Sequence, residues 1–234
     1  INKINKKTQN FEHFSCFKPN GFENKNVWQF LEGKDKTLWA TTFSSGTLYF
    51  LDRIKNRFEV FDDKLSEDLL AIFEDQNNTL WGGNANFLIK IDKIAKKHTY
   101  YEIGKPVRVI YEDKKGDFWI GSEGGGLILF DRKKNKITKR YATSEGLSNN
   151  SILSITEDKN RNLWIGTFSG LSKFNVVKQS FLNFFSLISV VCHSSTDWSK
   201  FAQTVSLLGV KSLYLSAYLL YSQKQARGAW WISL

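Results

Sequence analysis

"NLWIGTFSG" (Asn162–Gly170) reads as a short strand that runs into a glycine turn, and the chain writes versions of it four times. The others are "DFWIGSEGG" (Asp117–Gly125), "TLWGGNANF" (Thr79–Phe87) and "TLWATTFSS" (Thr37–Ser45). Trp39, Trp81, Trp119 and Trp164 anchor the copies. They stand about 40 residues apart, a period that signals a repeat architecture. Working outward from each tryptophan gives copies at 27–61, 69–101, 107–141 and 152–185. Each copy divides into four short apolar runs bounded by Gly, Asn, Asp or Lys; in the third copy they are Val107–Tyr111, the tryptophan run, Leu127–Phe130 and Ile137–Tyr141. Segments this short, β-branched and aromatic are strands. Four antiparallel strands in about 40 residues make one blade of a β-propeller.

The expected fold is therefore all-β: an incomplete β-propeller over residues 1–185, made of four blades and a remnant. The remnant is "INKKTQNFEHF" (Ile4–Phe14), which matches the last third of a copy. The chain opens in mid-repeat and contains no methionine, so it reads as a piece of something longer. Four blades and a remnant are expected to form an open arc that tends to associate, because closure is what protects strand edges in propellers.

Each part of the repeat has a physical role. The tryptophan supplies the large buried surface that a small sheet needs to stack on its neighbours. Gly82, Gly121 and Gly166 follow it and are expected to let a neighbouring backbone come close. Gly46, Gly124 to Gly126 and Gly170 serve the turn into the third strand. The turns "EDQNNTLW", "EDKKGDFW" and "EDKNRNLW" place Asp75, Asp113 and Asp158 where they accept N–H groups two or three residues on. Asn78 and Gly116 suit the left-handed conformation of such turns. Glu74, Glu112 and Glu157 end the first strands and are read as structural. Asp158, Asn160 and Asn162 also match the opening of a calcium loop, but the glycine and distal glutamate of that loop are missing. "GSEGGG" (Gly121–Gly126) leads into a strand, not a helix, and so reads as a turn rather than a phosphate cradle.

The net charge of +10 comes largely from lysines paired inside turns, such as "DRKKNK" and "EDKKGD". That is a solvated surface, not a nucleic-acid face. Cys16 and Cys192 make no disulfide framework, and they form no metal spacing with His13, His98 and His193. Neither a metal nor a cofactor is expected, and no nucleophile–base or paired-carboxylate arrangement recurs.

The pattern of apolar strand, E-D turn, L/F-W-I-G-T and G-L-x-x-F-D resembles the two-component regulator propeller repeat. The copies that carry it best are "ILSITEDKNRNLWIGTFSGLSKFN" and "VRVIYEDKKGDFWIGSEGGGLILFD". Ala40 and Gly82 replace the isoleucine in the two looser copies. The resemblance implies a fragment of the periplasmic sensor of a bacterial hybrid two-component system, whose propellers have seven blades. Many such sensors respond to oligosaccharides and signal to a histidine kinase, and no kinase motif lies in these residues. It implies a sensor dimer partner, an oligosaccharide ligand, and contact with the membrane only through the parent protein or the tail. Two other functions remain open: an interaction scaffold for dimerisation, and a propeller lyase of the streptogramin type.

A ligand is expected at the loops after the tryptophan strands, on the same face as the loops joining successive blades. Sugars need aromatic faces and amide or carboxylate partners. The candidate binding residues are Phe43, Asn84, Asn86, Glu123 and Phe168, with Asn149 and Asn150 behind them. Residues 186–234 break the pattern: they hold one acidic residue, Asp197, and no further L-W-x-G strand. Phe201–Leu220 is long and apolar enough for a spanning helix, though Gln203 and Lys211 interrupt it. The favoured reading of this tail is an out-of-frame segment with no evolved structure.

Overall fold

The computed structural model describes residues 1–184 except 19, 44, 45, 63, 64 and 66. The expected tail, with its candidate helix, Cys192 and His193, lies outside the described residues. Strands β1 (Asn2–Ile4) and β2 (Phe11–His13) pair as an antiparallel hairpin. Two short strands follow, β3 (Cys16–Phe17) and β4 (Glu23–Asn24). The first repeat copy supplies β5 (Val27–Glu32), β6 (Leu38–Thr42), β7 (Leu48–Asp52) and β8 (Arg57–Val60). The second supplies β9 (Ala71–Glu74), β10 (Leu80–Gly83), β11 (Phe87–Ile91) and β12 (His98–Glu102). The third supplies β13 (Val107–Glu112), β14 (Phe118–Ser122), β15 (Leu127–Asp131) and β16 (Lys136–Tyr141). The fourth supplies β17 (Ile152–Glu157), β18 (Asn162–Thr167), β19 (Gly170–Asn175) and β20 (Ser180–Phe184).

The last three copies are four-stranded sheets with their strands in sequence order. The first copy is the exception. Its sheet has six strands, because β3 adds beside β8 in parallel and β4 pairs with β3. No part of the repeat pattern announces β3 and β4, since each has only two residues. In the sheet of each repeat copy the tryptophan strand is second, next to the copy's first strand.

The described residues divide into two compact units, residues 1–120 with 129–138 and residues 121–128 with 139–184. In the first unit, Trp39, Leu48, Phe61, Leu69, Ile72 and Leu80 form one buried cluster shared by the first two sheets. Trp81 continues the core as an aromatic group with Tyr101, Phe118 and Phe130. In the second unit Tyr141, Phe174 and Phe181 pack ring on ring. All four anchor tryptophans are buried. One tryptophan buries roughly 150–250 Å², worth about 4–6 kcal/mol at 25 cal/mol/Å². That is an upper bound, because the unfolded chain already hides some surface.

Cys16 belongs to a separate cluster with Phe14, Ala40, Tyr49 and Phe58. Burial pushes its thiol up to about 11, so at neutral pH it is a small apolar core residue, not a nucleophile. His98 is not isolated: its Nε2 lies 3.0 Å from Asp62 Oδ2, with both side chains buried.

The repeat extends to the backbone. Lys36, Asn78, Gly116 and Arg161 stand at one place in the four hairpins joining first to second strands, and all have φ between 62° and 84°. Asn56, Lys96, Asn135 and Gln179 stand at one place in the turns joining third to fourth strands, with φ between 50° and 53°. Only some of these eight are residues that favour the left-handed region. The hairpin geometry holds the others there.

Candidate functional site

The two ends of the strands use their polar residues differently. At the hairpin end, Asp75 Oδ1 accepts the N–H groups of Asn77 and Thr79, both at 2.9 Å. Its Oδ2 accepts Trp81 Nε1 at 2.9 Å and Arg132 Nη1 at 2.9 Å. Asp113 repeats the scheme with Lys115, Asp117 and Trp119, and Asp158 with Asn160, Asn162 and Trp164. One carboxylate thus closes the turn and holds the tryptophan of its own blade. The side-chain amide of Asn162 also donates to Asp158, so the calcium-loop pattern is spent on the turn itself. Burial pushes Asp75 up, but Trp81, the Thr79 N–H and Arg132 outweigh it and hold the carboxyl below its ordinary range. Asp158 is also lowered: burial raises it, while Asn162 and Trp164 more than compensate.

Glu74 and Glu112 of the E-D pairs work between blades. Glu74 Oε2 accepts Lys34 N–H in the preceding hairpin at 2.6 Å. Glu112 Oε2 accepts Gln76 N–H at 2.7 Å in the same way. Lys93 bonds Glu74 and Asp35, and Arg132 bonds Glu112 and Asp75. The first blade departs from the scheme. Gly33 stands where the others have aspartate, and the buried Trp39 Nε1 has no hydrogen-bond partner. The groups at this end of the described blades are engaged in holding hairpins together.

At the other end, the loops after the tryptophan strands meet the loops joining successive copies. Thr47 Oγ1 donates to the Leu65 carbonyl at 2.8 Å, and Gly46 N–H to Asp68. Ile103 N–H donates to the Asn86 carbonyl at 2.8 Å. In the second unit, Gly124 N–H reaches Ser151 Oγ, Gly126 N–H the Asn150 carbonyl, and Phe168 N–H the Ser151 carbonyl. The N–H groups of Gly124 and Gly126 in "GSEGGG" therefore point at protein acceptors within a strand-to-strand turn.

The seven candidate residues fall into two groups by what their side chains do. Asn84 is buried: its Oδ1 accepts the N–H groups of Asn86 and Phe87, and its Nδ2 donates to Glu67. Asn149 Oδ1 accepts Ser151 N–H, and Asn150 Oδ1 accepts Thr143 N–H, both at 2.8 Å. These three shape loops. Phe43 and Phe168 present exposed rings, 42% and 46% accessible. Asn86 is exposed and Glu123 half-buried. Within the first unit Phe43, Asn84 and Asn86 share this end of the strands. Within the second, Glu123, Asn149, Asn150 and Phe168 gather around Ser151.

Sequence reading missed Trp28. It lies in β5, 45% exposed, with its ring centroid 5.8 Å from that of Phe43 and the planes 41° apart. The Arg108 guanidinium carbon lies 5.2 Å from the Trp28 ring. A signal was present. Trp28, Leu70, Arg108 and Leu153 each stand four residues before the strand-ending glutamate. Variation at a fixed repeat position marks a place that blade packing does not dictate.

The reading of Gly82 needs correction: the nearest atoms that a Cβ there would meet are the side-chain ends of Ile91 and Leu69, both at 3.2 Å. The tighter approach is at Gly83, where a Cβ would lie 2.7 Å from Val107 Cβ.

The model of the two component regulator propeller family matches residues 101–124 and 146–169. Each match runs from an inter-blade loop through the first strand and E-D hairpin to the glycine turn. Histidine kinase P4 of Formosa agariphila is 25% identical over 189 residues, which cover 74% of this chain and 14% of that protein. The extracellular domain of the hybrid two component system BT3049 of B. thetaiotaomicron superposes with a TM-score of 0.65 at 24% identity, covering 79% of this chain and 25% of that one. Virginiamycin B lyase of Staphylococcus aureus shares the fold, with a TM-score of 0.53 at 17% identity over 73% of this chain and 61% of its own. The chain thus spans a small part of the kinase and of the extracellular domain it matches. Repeats, sheets and comparisons point the same way: residues 101–124 and 146–169 match two-component regulator propeller repeats, within a chain of antiparallel propeller-like sheets.

Proposed function

We propose that this chain is part of the sensing propeller of a two-component regulatory system, and that it binds a carbohydrate-like signal which a histidine kinase outside these residues reads. The observation that carries the reading is the asymmetry between strand ends. The carboxylates of the E-D hairpins are consumed by turns and neighbouring blades. The opposite loops keep the exposed rings of Phe43 and Phe168 and the exposed Asn86. Aromatic faces stack on the C–H faces of sugars, while amides and carboxylates bond hydroxyls. The likeness to a histidine kinase and to an extracellular sensor domain supports the regulatory setting. We place the chain in the periplasm, on the outer side of the inner membrane, within a dimeric parent. The lyase likeness is one of fold alone, and propellers host many unrelated functions.

The test is Glu123→Ala and Phe168→Ala in the intact parent sensor, with ligand binding and signalling as readouts. Both variants are expected to weaken binding. If both keep full affinity while Asp113→Ala abolishes it without unfolding the domain, the binding face is the hairpin end. If no oligosaccharide binds and the chain instead self-associates without ligand, a scaffold role takes the place of sensing.

A further inference from the structure

The turns joining third to fourth strands carry a feature that blade packing does not require. Ile54, Ile94, Lys133 and Val177 stand at matching places at their tips. Ile54 is 98% exposed, Ile94 95% and Val177 80%. A single exposed apolar residue is ordinary, but here a β-branched side chain recurs at the tip of the same turn in different copies. The tips are held in shape. Asp52 Oδ1 accepts the N–H groups of Ile54 and Lys55 at 2.9 and 3.0 Å. Asp92 Oδ1 accepts those of Ile94 and Ala95 at 2.9 and 2.8 Å. These N–H groups are satisfied before any partner arrives, which lowers the cost of taking them out of water.

The tips of Ile54 and Ile94 both lie in the first unit, and both are tied to the hairpin of the first copy. Arg53 Nη2 donates to the Lys36 carbonyl at 3.0 Å, and Lys93 Nζ lies 3.4 Å from Asp35 Oδ2. Cations flank the two isoleucines. Arg53 donates to a carbonyl, which leaves its charge uncompensated. Lys96 and Lys97 are exposed and form no ion pair among the described residues; Lys96 Nζ lies 5.4 Å from the Phe61 ring. Lys55 faces Asp52 and Glu59. We infer that these two tips form a surface that docks on an anionic phospholipid bilayer, with Ile54 and Ile94 entering the headgroup region and Arg53, Lys96 and Lys97 meeting lipid phosphates. A bilayer offers apolar chains beneath a negative surface, the order in which the tips present isoleucine and cations. One apolar contact or one charge binds weakly, and the two signals together hold a protein to a membrane. The surface lies at the hairpin end of the strands, opposite the loops proposed to bind saccharide, and stands independently of that reading.

The experiment is cosedimentation of the full 234-residue chain with vesicles of phosphatidylglycerol and phosphatidylethanolamine, and with vesicles of phosphatidylcholine alone. The chain is expected to bind the anionic vesicles more tightly, and salt should weaken that binding. Ile54→Ser combined with Ile94→Ser is expected to weaken it about tenfold, the effect of withdrawing two partly inserted side chains. Both side chains are exposed, so the melting temperature should not move. Lys96→Gln combined with Lys97→Gln should weaken binding to the anionic vesicles about tenfold and leave phosphatidylcholine unchanged. Glutamine suits the turn, since Gln179 holds the place of Lys96 in the fourth copy with φ 51°. Lys105→Gln, in the loop joining the second and third copies, should change nothing. Equal binding to both vesicle types, or no binding to either, overturns the docking surface. So does binding that survives the isoleucine pair, which would lie elsewhere in the chain, or that falls equally in Lys105→Gln. Retention on heparin that depends on Lys96 and Lys97, without vesicle binding, would assign the cations to a soluble polyanion instead.

Discussion

Two oxygens of Asp75 receive two turn N–H groups, an indole N–H and a guanidinium. Removing a donor from that set leaves a buried carboxylate oxygen with less to hold. The first blade is a natural control, because Trp39 Nε1 has no partner and Gly33 replaces the aspartate. Trp39→Phe therefore loses volume only, whereas Trp81→Phe loses volume and a hydrogen bond to a charged group. Trp81→Phe is expected to cost about 1–2 kcal/mol more than Trp39→Phe, read from urea unfolding. Equal costs would show that the indole bond adds nothing. The same carboxylates set an acid limit. Asp75 and Asp158 have folded-state values below their ordinary range, so the unfolded chain takes up protons first as pH falls. Their contribution is complete above the unfolded value, about 3.9, and is lost below it as pH drops through the folded values. Melting temperature should fall below about pH 4, and Asp75→Asn should make that fall shallower. An unchanged acid profile in Asp75→Asn would remove Asp75 from the account.

At the scale of the element, blades meet through small residues as well as large ones. β10 ends on Gly83, where a Cβ would lie 2.7 Å from Val107 Cβ in β13. Both backbones sit in regular strands, so neither can step aside without breaking ladder bonds. Gly83→Ala is expected to cost about 1–3 kcal/mol, the range for overpacking a well-filled core. Gly82→Ala should cost less, since its neighbours are the ends of Ile91 and Leu69 at 3.2 Å. A Gly82→Ala variant less stable than Gly83→Ala in denaturant titrations would reverse that ranking. The four blades were legible because each strand's apolar run is local, and so were the E-D turns, which bond within six residues of sequence. β3 and β4 were not legible: two residues carry no periodicity, and only the exposed edge of β8 gives them a partner.

For the molecule as a whole, the chain spans 14% of the kinase and 25% of the extracellular domain it resembles. Phe11, Phe17, Phe22, Trp28 and Phe30 of its first unit are all exposed. Exposed apolar side chains in this number mark surfaces that bind something. The isolated chain is expected to self-associate with rising concentration in sedimentation velocity. A single monomeric species across a wide concentration range would count against it.

The sequence by itself determined the repeat, the strand content, the buried tryptophans and the capping aspartates, because each rests on hydrogen bonds or burial patterns within one blade. It also placed Phe43 and Phe168 in loops at the end of the strands opposite the E-D hairpins, where both residues are exposed. Only the tertiary structure decided that Asn84, Asn149 and Asn150 spend their side chains on loops, since their acceptors and donors had to be seen. Only it brought Arg108 over Trp28, from β13 and β5 of different blades. Contacts between residues this far apart in sequence arise from how blades stack, and no local pattern encodes that distance.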